Sequence, residues 1–292
     1  MSRRCLIPAA GRGTRLRPIT RTVPKELLPI GTRPMIQWAI TEALEGGFDE
    51  LGLVTRETKP LLTSYLTGDG WREGLRPELA AAAESVVIRI FLQEEPRGVV
   101  DAVLTASDWL REGSPMALLL PDNVRLAGSV PLTASLLDRA QAAGPVAACH
   151  RVGPELERYF GDVGRAVLED LVPAGRAPRV VALEPRGKGS FEAPAEGAWR
   201  LLPRYVVTGE WLEEARRVAR DARAQNREAD DVEVHRRLVE RGALGAIPWE
   251  GTIVDAGHPA GYLYAQHVLH EAERESRARE DDGPPLLQIG GA

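Results

Sequence analysis

At 292 residues the chain has the length of one large α/β domain or two small ones, and 43% hydrophobic with 27% charged residues is the make-up of a sequence that buries a real core. A formal net charge of −5 with no long basic run argues against a general nucleic-acid binder, whose footprint is a basic stripe. Cys5 and Cys149, the only cysteines, have no metal-ligand spacing and read as thiols of a reducing compartment; with no signal peptide before the first strand and no apolar stretch of membrane-spanning length, a cytoplasmic protein is expected.

In chain order, the apolar run at 5–9 predicts a first buried strand. A helix follows over 35–45, with Ile36, Ala39, Ile40 and Ala43 on one face. Strands are predicted at 50–55 and 86–93, a helix over 99–110 and a strand at 116–121. Then come a helix over 130–143, strands at 146–150, 179–184 and 201–207, and helices over 210–221, 231–241 and 261–273. Residues 65–85, 154–179 and 186–197 are rich in Gly, Pro or charge and read as loops or insertions. The domain is expected to span 1–272, and the Glu/Arg-rich end, 273–292, to be a disordered tail. Strands alternating with helices imply an α/β fold with a largely parallel sheet, whose ligands sit beyond the carboxyl ends of the strands.

The first strand runs into Pro8-Ala9-Ala10-Gly11-Arg12-Gly13-Thr14-Arg15-Leu16-Arg17-Pro18, followed by Pro24-Lys25-Glu26. Two glycines allow close backbone approach, and Arg15, Arg17, Arg21 and Lys25 add cations, a combination that suits a polyphosphate. The spacing fits neither of the common phosphate loops. Lys25 comes too late for G-x-x-x-x-G-K-[ST], and Leu16 stands where G-x-G-x-x-G requires glycine.

The whole string resembles the signature of the sugar-1-phosphate nucleotidylyltransferases, and within them is most similar to the bacterial UTP–glucose-1-phosphate uridylyltransferases. The resemblance implies a single Rossmann-like α/β domain with a mixed, mostly parallel central sheet flanked by helices, plus a small sugar-side β insertion. It implies that Lys25 and Arg15 are catalytic, and that Ala9, Ala10, Gly11, Gly13, Thr14 and Glu26 bind nucleotide. Gln93 and Gly98 match the residues that read the base, a glutamine amide offering one donor and one acceptor. Uridylyltransferases usually have histidine where this chain has Asp101.

Asp122, at the end of an apolar strand, and Asp255, in Ile253-Val254-Asp255-Ala256-Gly257, match the family's metal-binding aspartates, so Mg²⁺ is the implied cofactor. The sugar side diverges. Glu184 matches the family's sugar-binding glutamate, but the lysine expected after it is absent, leaving Arg186 or Lys188 to supply a cation. Pro203-Arg204-Tyr205-Val206 stands for a Gly-Arg-Tyr-Val motif, giving Arg204 a sugar-phosphate role, and Ala229 to His235 only loosely echo a further motif.

The implied partners are a nucleoside triphosphate and a sugar 1-phosphate, UTP and glucose 1-phosphate by default, in a homo-oligomer (dimer or tetramer) without nucleic acid or membrane. Three alternatives remain. One is another triphosphate with a non-glucose sugar-like 1-phosphate. Another is a weakly active regulatory paralogue that binds nucleotide-sugar. The last is an unrelated dehydrogenase, for which Leu16 is the wrong residue. His267 and His270, three apart on a predicted helix, lack a third ligand and read as solvated.

Overall fold

The computed structural model describes residues 2–110, 115–127, 132–153, 155–160, 165–169, 177–184 and 198–281. The chain opens with β1 (Arg4–Pro8), a short hairpin of β2 (Pro29–Ile30) and β3 (Arg33–Pro34), α1 (Met35–Glu45) and β4 (Glu50–Thr55). Next come α2 (Pro60–Thr67), α3 (Ala80–Ser85), β5 (Val87–Leu92), α4 (Val99–Thr105), β6 (Met116–Leu119), β7 (Asn123–Ala127) and α5 (Leu132–Ala143). The remainder holds β8 (Val146–Val152), β9 (Arg165–Leu168), β10 (Val180–Leu183), β11 (Ala198–Val207), α6 (Gly209–Ala224), α7 (Asp231–Glu240), β12 (Gly245–Pro248), β13 (Thr252–Asp255) and α8 (Pro259–Asp281).

The main sheet runs β10-β9-β11-β6-β1-β4-β5, with β8 also paired to β11 and β12 to β8. β1 is parallel to β4 and β6, β4 to β5, and β12 to β8. β11 is antiparallel to β6, β8 and β9, and β10 to β9. All the strands except β10 and β11 therefore point one way, making the sheet mixed but mostly parallel. Successive residues of a strand face opposite sides. Cys5 and Ile7 enter a core under α1, α2, α3 and α5, while Leu6 enters a second core under α4, α6 and α7. Burial on both faces explains why these strands read as continuous apolar runs rather than alternating ones.

Capping fixes the two helices after β11. Thr208 accepts from the Trp211 N–H at the start of α6, and Asp230 from the Val232 N–H at the start of α7. Several regions differ from the sequence reading. The segment read as a loop over 65–85 ends in α3, and β9 falls within 154–179. The helix predicted to Leu110 stops at Thr105, where Ala106 leaves helical geometry and a 3₁₀ turn carries Ser107–Trp109. The last helix continues to Asp281, so 273–281 belong to it rather than to a tail; Glu and Arg are good helix formers, and the Glu271–Arg274 pair at 3.0 Å supports that turn. The rest of that expected tail lies outside the described residues. No helix among them is long and apolar enough to cross a membrane.

Candidate active site

β1 delivers the glycine loop to the carboxyl edge of the sheet. Gly13 has φ +64°, and a Cβ there would lie 3.2 Å from Thr20 and 3.3 Å from the Lys25 Cβ, so the loop closes this tightly only with glycine. The Thr20 hydroxyl donates to the Gly13 carbonyl at 2.7 Å, holding the fold of the loop. Ala10, Gly11, Gly13, Thr14, Arg15 and Lys25 line one cleft.

Asp122 follows β6 and reaches the same cleft, where Lys25 Nζ donates to its Oδ2 at 2.6 Å. The small β7–β13 ladder pairs Asn123 with Asp255, and the Ala256 N–H donates to the Asp122 carbonyl at 2.7 Å. Two aspartates far apart in sequence are thereby brought side by side. Gly257 marks where they meet. A Cβ on it would lie 2.7 Å from Asp122 Oδ2, 3.0 Å from Asp255 Oδ1 and 3.1 Å from an Arg15 guanidinium nitrogen.

Electrostatics keep Lys25 and Asp122 ionised. Burial works to lower the Lys25 pKa, but the carboxylates of Asp122 and Glu26 outweigh it and hold the ammonium above its ordinary value. Burial likewise works to raise Asp122, but Lys25 and Arg15 pull it down to about 2. Two hard carboxylates beside an open glycine cradle fit Mg²⁺, which takes one or two carboxylates and completes its shell with phosphate oxygens and water. Among the described residues no group of three or more His, Cys, Asp or Glu side chains is set to hold a metal without such a substrate.

On the far wall of the cleft Gln93 is buried, and its Nε2 donates to Asp101 Oδ2 at 2.9 Å and to the Gly98 carbonyl at 3.4 Å. Asp101 in turn pairs with Arg223 of α6 at 3.0 Å. Gly98 has φ +103°, and a Cβ there would lie 2.2 Å from the Ala229 carbonyl oxygen, so this glycine lets the turn pack on that backbone.

Other expected site residues fall elsewhere. Ala9 is buried behind the cleft with both backbone groups used: its N–H donates to Val54, and its carbonyl accepts from Lys59 Nζ at 2.7 Å. Glu26 is fully buried, paired with that same Lys59 at 2.7 Å, so it braces the loop from behind rather than lining the cleft. Arg204, expected on the sugar phosphate, lines neither cleft. It is fully buried and forks onto Glu42, at 3.2 Å and 2.9 Å, while donating to the carbonyls of Leu120 and Asn123 on either side of Asp122. Burial works to raise Glu42, but Arg204 and a hydrogen bond from Thr133 hold it below the usual carboxylate range. Glu184 closes edge strand β10, its N–H donating to Arg165; Leu183 rather than Glu184 lines the adjoining cavity. Arg186 and Lys188 lie outside the described residues.

That adjoining cavity shares Arg15, Leu120, Asp122 and Asp231 with the glycine-loop cleft, and Asp255 lines the cavity as well. Its walls include Arg200 and His235, to which the sequence reading gave no role. Arg200 is paired with Glu157 at 3.5 Å, and burial lowers His235 to about 4, leaving a neutral imidazole. Lys59, Arg200 and His235 share no local motif, so only their spatial neighbours mark them.

Residues 4–175 match the family model described as nucleotidyl transferase. The chain belongs to that family. This nucleotidyltransferase is 30% identical over 292 residues to the UTP–glucose-1-phosphate uridylyltransferase of Bacillus subtilis strain 168, covering 94% of this chain and 93% of the relative. It is 28% identical over 271 residues to the glucose-1-phosphate thymidylyltransferase of an Actinoplanes species, covering 90% of this chain and 78% of that protein. Among solved structures it is similar to a UDP-glucose pyrophosphorylase complexed with UDP-glucose, with a TM-score of 0.76 and 25% identity over 93% of this chain and all of the other.

Proposed function

We propose that this enzyme transfers the uridylyl group of UTP to glucose 1-phosphate, giving UDP-glucose and pyrophosphate. The observation that carries the reading is the meeting of Arg15, Asp122 and Asp255 around Gly257, with Lys25 on Asp122, at the mouth of the glycine loop. A phosphate oxygen of the sugar phosphate attacks the α-phosphorus in line. The new P–O bond forms as the bond to pyrophosphate breaks, and no general base is needed because the attacking oxygen is already ionised. The loop backbone from Gly11 to Thr14, with Arg15, grips the outer phosphates. Lys25 exchanges Asp122 for the α-phosphate and stabilises the charge that develops there. Asp122 and Asp255 hold Mg²⁺, which when bound neutralises the triphosphate. Gln93 and Gly98 face the base, the cavity beside Arg200 and His235 receives the sugar, and the resemblance assigns Glu184, Arg186 and Lys188 to the sugar phosphate. The homo-oligomer implied by the resemblance is part of this reading.

The relative named as a thymidylyltransferase supports a second reading, in which dTTP replaces UTP. One experiment separates them: pyrophosphate release with Mg²⁺, each common nucleoside triphosphate and a panel of sugar 1-phosphates. UTP with glucose 1-phosphate is expected to turn over fastest. Faster turnover with dTTP favours the second reading, and no release from any pair contradicts both.

A further inference from the structure

Asp101 meets the Gln93 amide at the position where the family resemblance leads one to expect histidine. A carboxylate can only accept hydrogen bonds, and this one is paired with the Arg223 guanidinium at 3.0 Å. The atom of Gln93 that meets it at 2.9 Å must therefore be the amide nitrogen, which fixes the flip of that amide by chemistry. The second hydrogen of the same nitrogen faces the Gly98 carbonyl at 3.4 Å. Gln93 has no donor left to offer. Its Oε1 accepts from no group among the described residues, and Gln93 lines the cleft.

We propose that Asp101, seated by Arg223, is a positioning residue that locks the Gln93 amide with its oxygen toward the base. The Gln93 side chain then meets the base as a pure acceptor. This inference rests on the proposed nucleotidyl transfer and narrows its substrate. Among pyrimidines, an acceptor set against ring N3 favours one whose N3 carries a hydrogen, as in uracil and thymine. Cytosine presents a lone pair at N3, and two lone pairs facing one another leave a buried polar atom without a partner. The lock does not separate uracil from thymine, which differ only at C5.

The test is equilibrium binding of UTP, dTTP, CTP and inorganic tripolyphosphate to the full chain with Mg²⁺, in the absence of sugar phosphate. The wild type is expected to bind UTP and dTTP about tenfold or more tighter than CTP. Asp101→Asn can present either a donor or an acceptor, so the Gln93 amide is free to turn. The UTP-to-CTP ratio should then fall about tenfold while tripolyphosphate affinity stays put, a split that general damage to the site would not produce. Asp101→Ala makes the same arm if the first variant does not fold. A wild type that binds UTP and CTP alike, or a folded variant that keeps the wild-type ratio, overturns the lock and leaves the proposed transfer standing. A wild type that binds no triphosphate sinks both.

Discussion

Gly257 illustrates how much a single position decides. Its missing side chain is what lets Arg15, Asp122 and Asp255 approach one another; even a methyl group would press on Asp122 Oδ2 at 2.7 Å. Gly257→Ala should push the carboxylates apart without unfolding the chain, since the crowding atoms are side-chain ends at the rim of a cleft. Displacing reacting groups by about 1 Å can cost about a hundredfold in rate, and that is the expected fall in pyrophosphate release, with an unchanged thermal midpoint. Activity near wild type would show that the crowding has no catalytic consequence. The sequence marks Gly257 through its spacing from Asp255, but gives no hint that the space it leaves open lies against Asp122.

Among the elements, β11 and α1 are tied by the buried Arg204–Glu42 pair, which also holds the carbonyls flanking Asp122. Removing one member of such a pair strands the other charge, so Arg204→Met should lower stability by about 3–5 kcal/mol, read as a shift in the urea midpoint. Arg204→Met combined with Glu42→Leu should recover most of that loss, because the stranded carboxylate is gone. An Arg204→Met protein as stable as the wild type would mean that the ion pair is dispensable. Arg204 could not be placed from the sequence for a physical reason. Most of β11 is buried, so its pattern does not tell one side of the sheet from the other, and its ion-pair partner lies 162 residues away. The ladder that sets Asp255 beside Asp122 is equally hard to read, since β7 and β13 are short and their pairing is wholly long-range.

For the molecule as a whole, the sheet gathers segments from opposite ends of the chain onto one carboxyl edge. The strands of that edge were legible because burial on both faces makes them continuous apolar runs: β4 and α1 fall where the pattern puts them. The glycine loop was legible because it is local. The cavity proposed for the sugar was not, because its walls come from β10, β11 and α7, which contribute scattered residues such as Arg200 and His235. The proposed transfer requires Lys25 to leave Asp122 and stabilise the α-phosphate. The most direct measurement is single-turnover pyrophosphate release by Lys25→Ala beside the wild type, with the fold checked by circular dichroism. A fall of about a hundredfold or more with the fold intact is predicted; release at a near-normal rate would contradict the account.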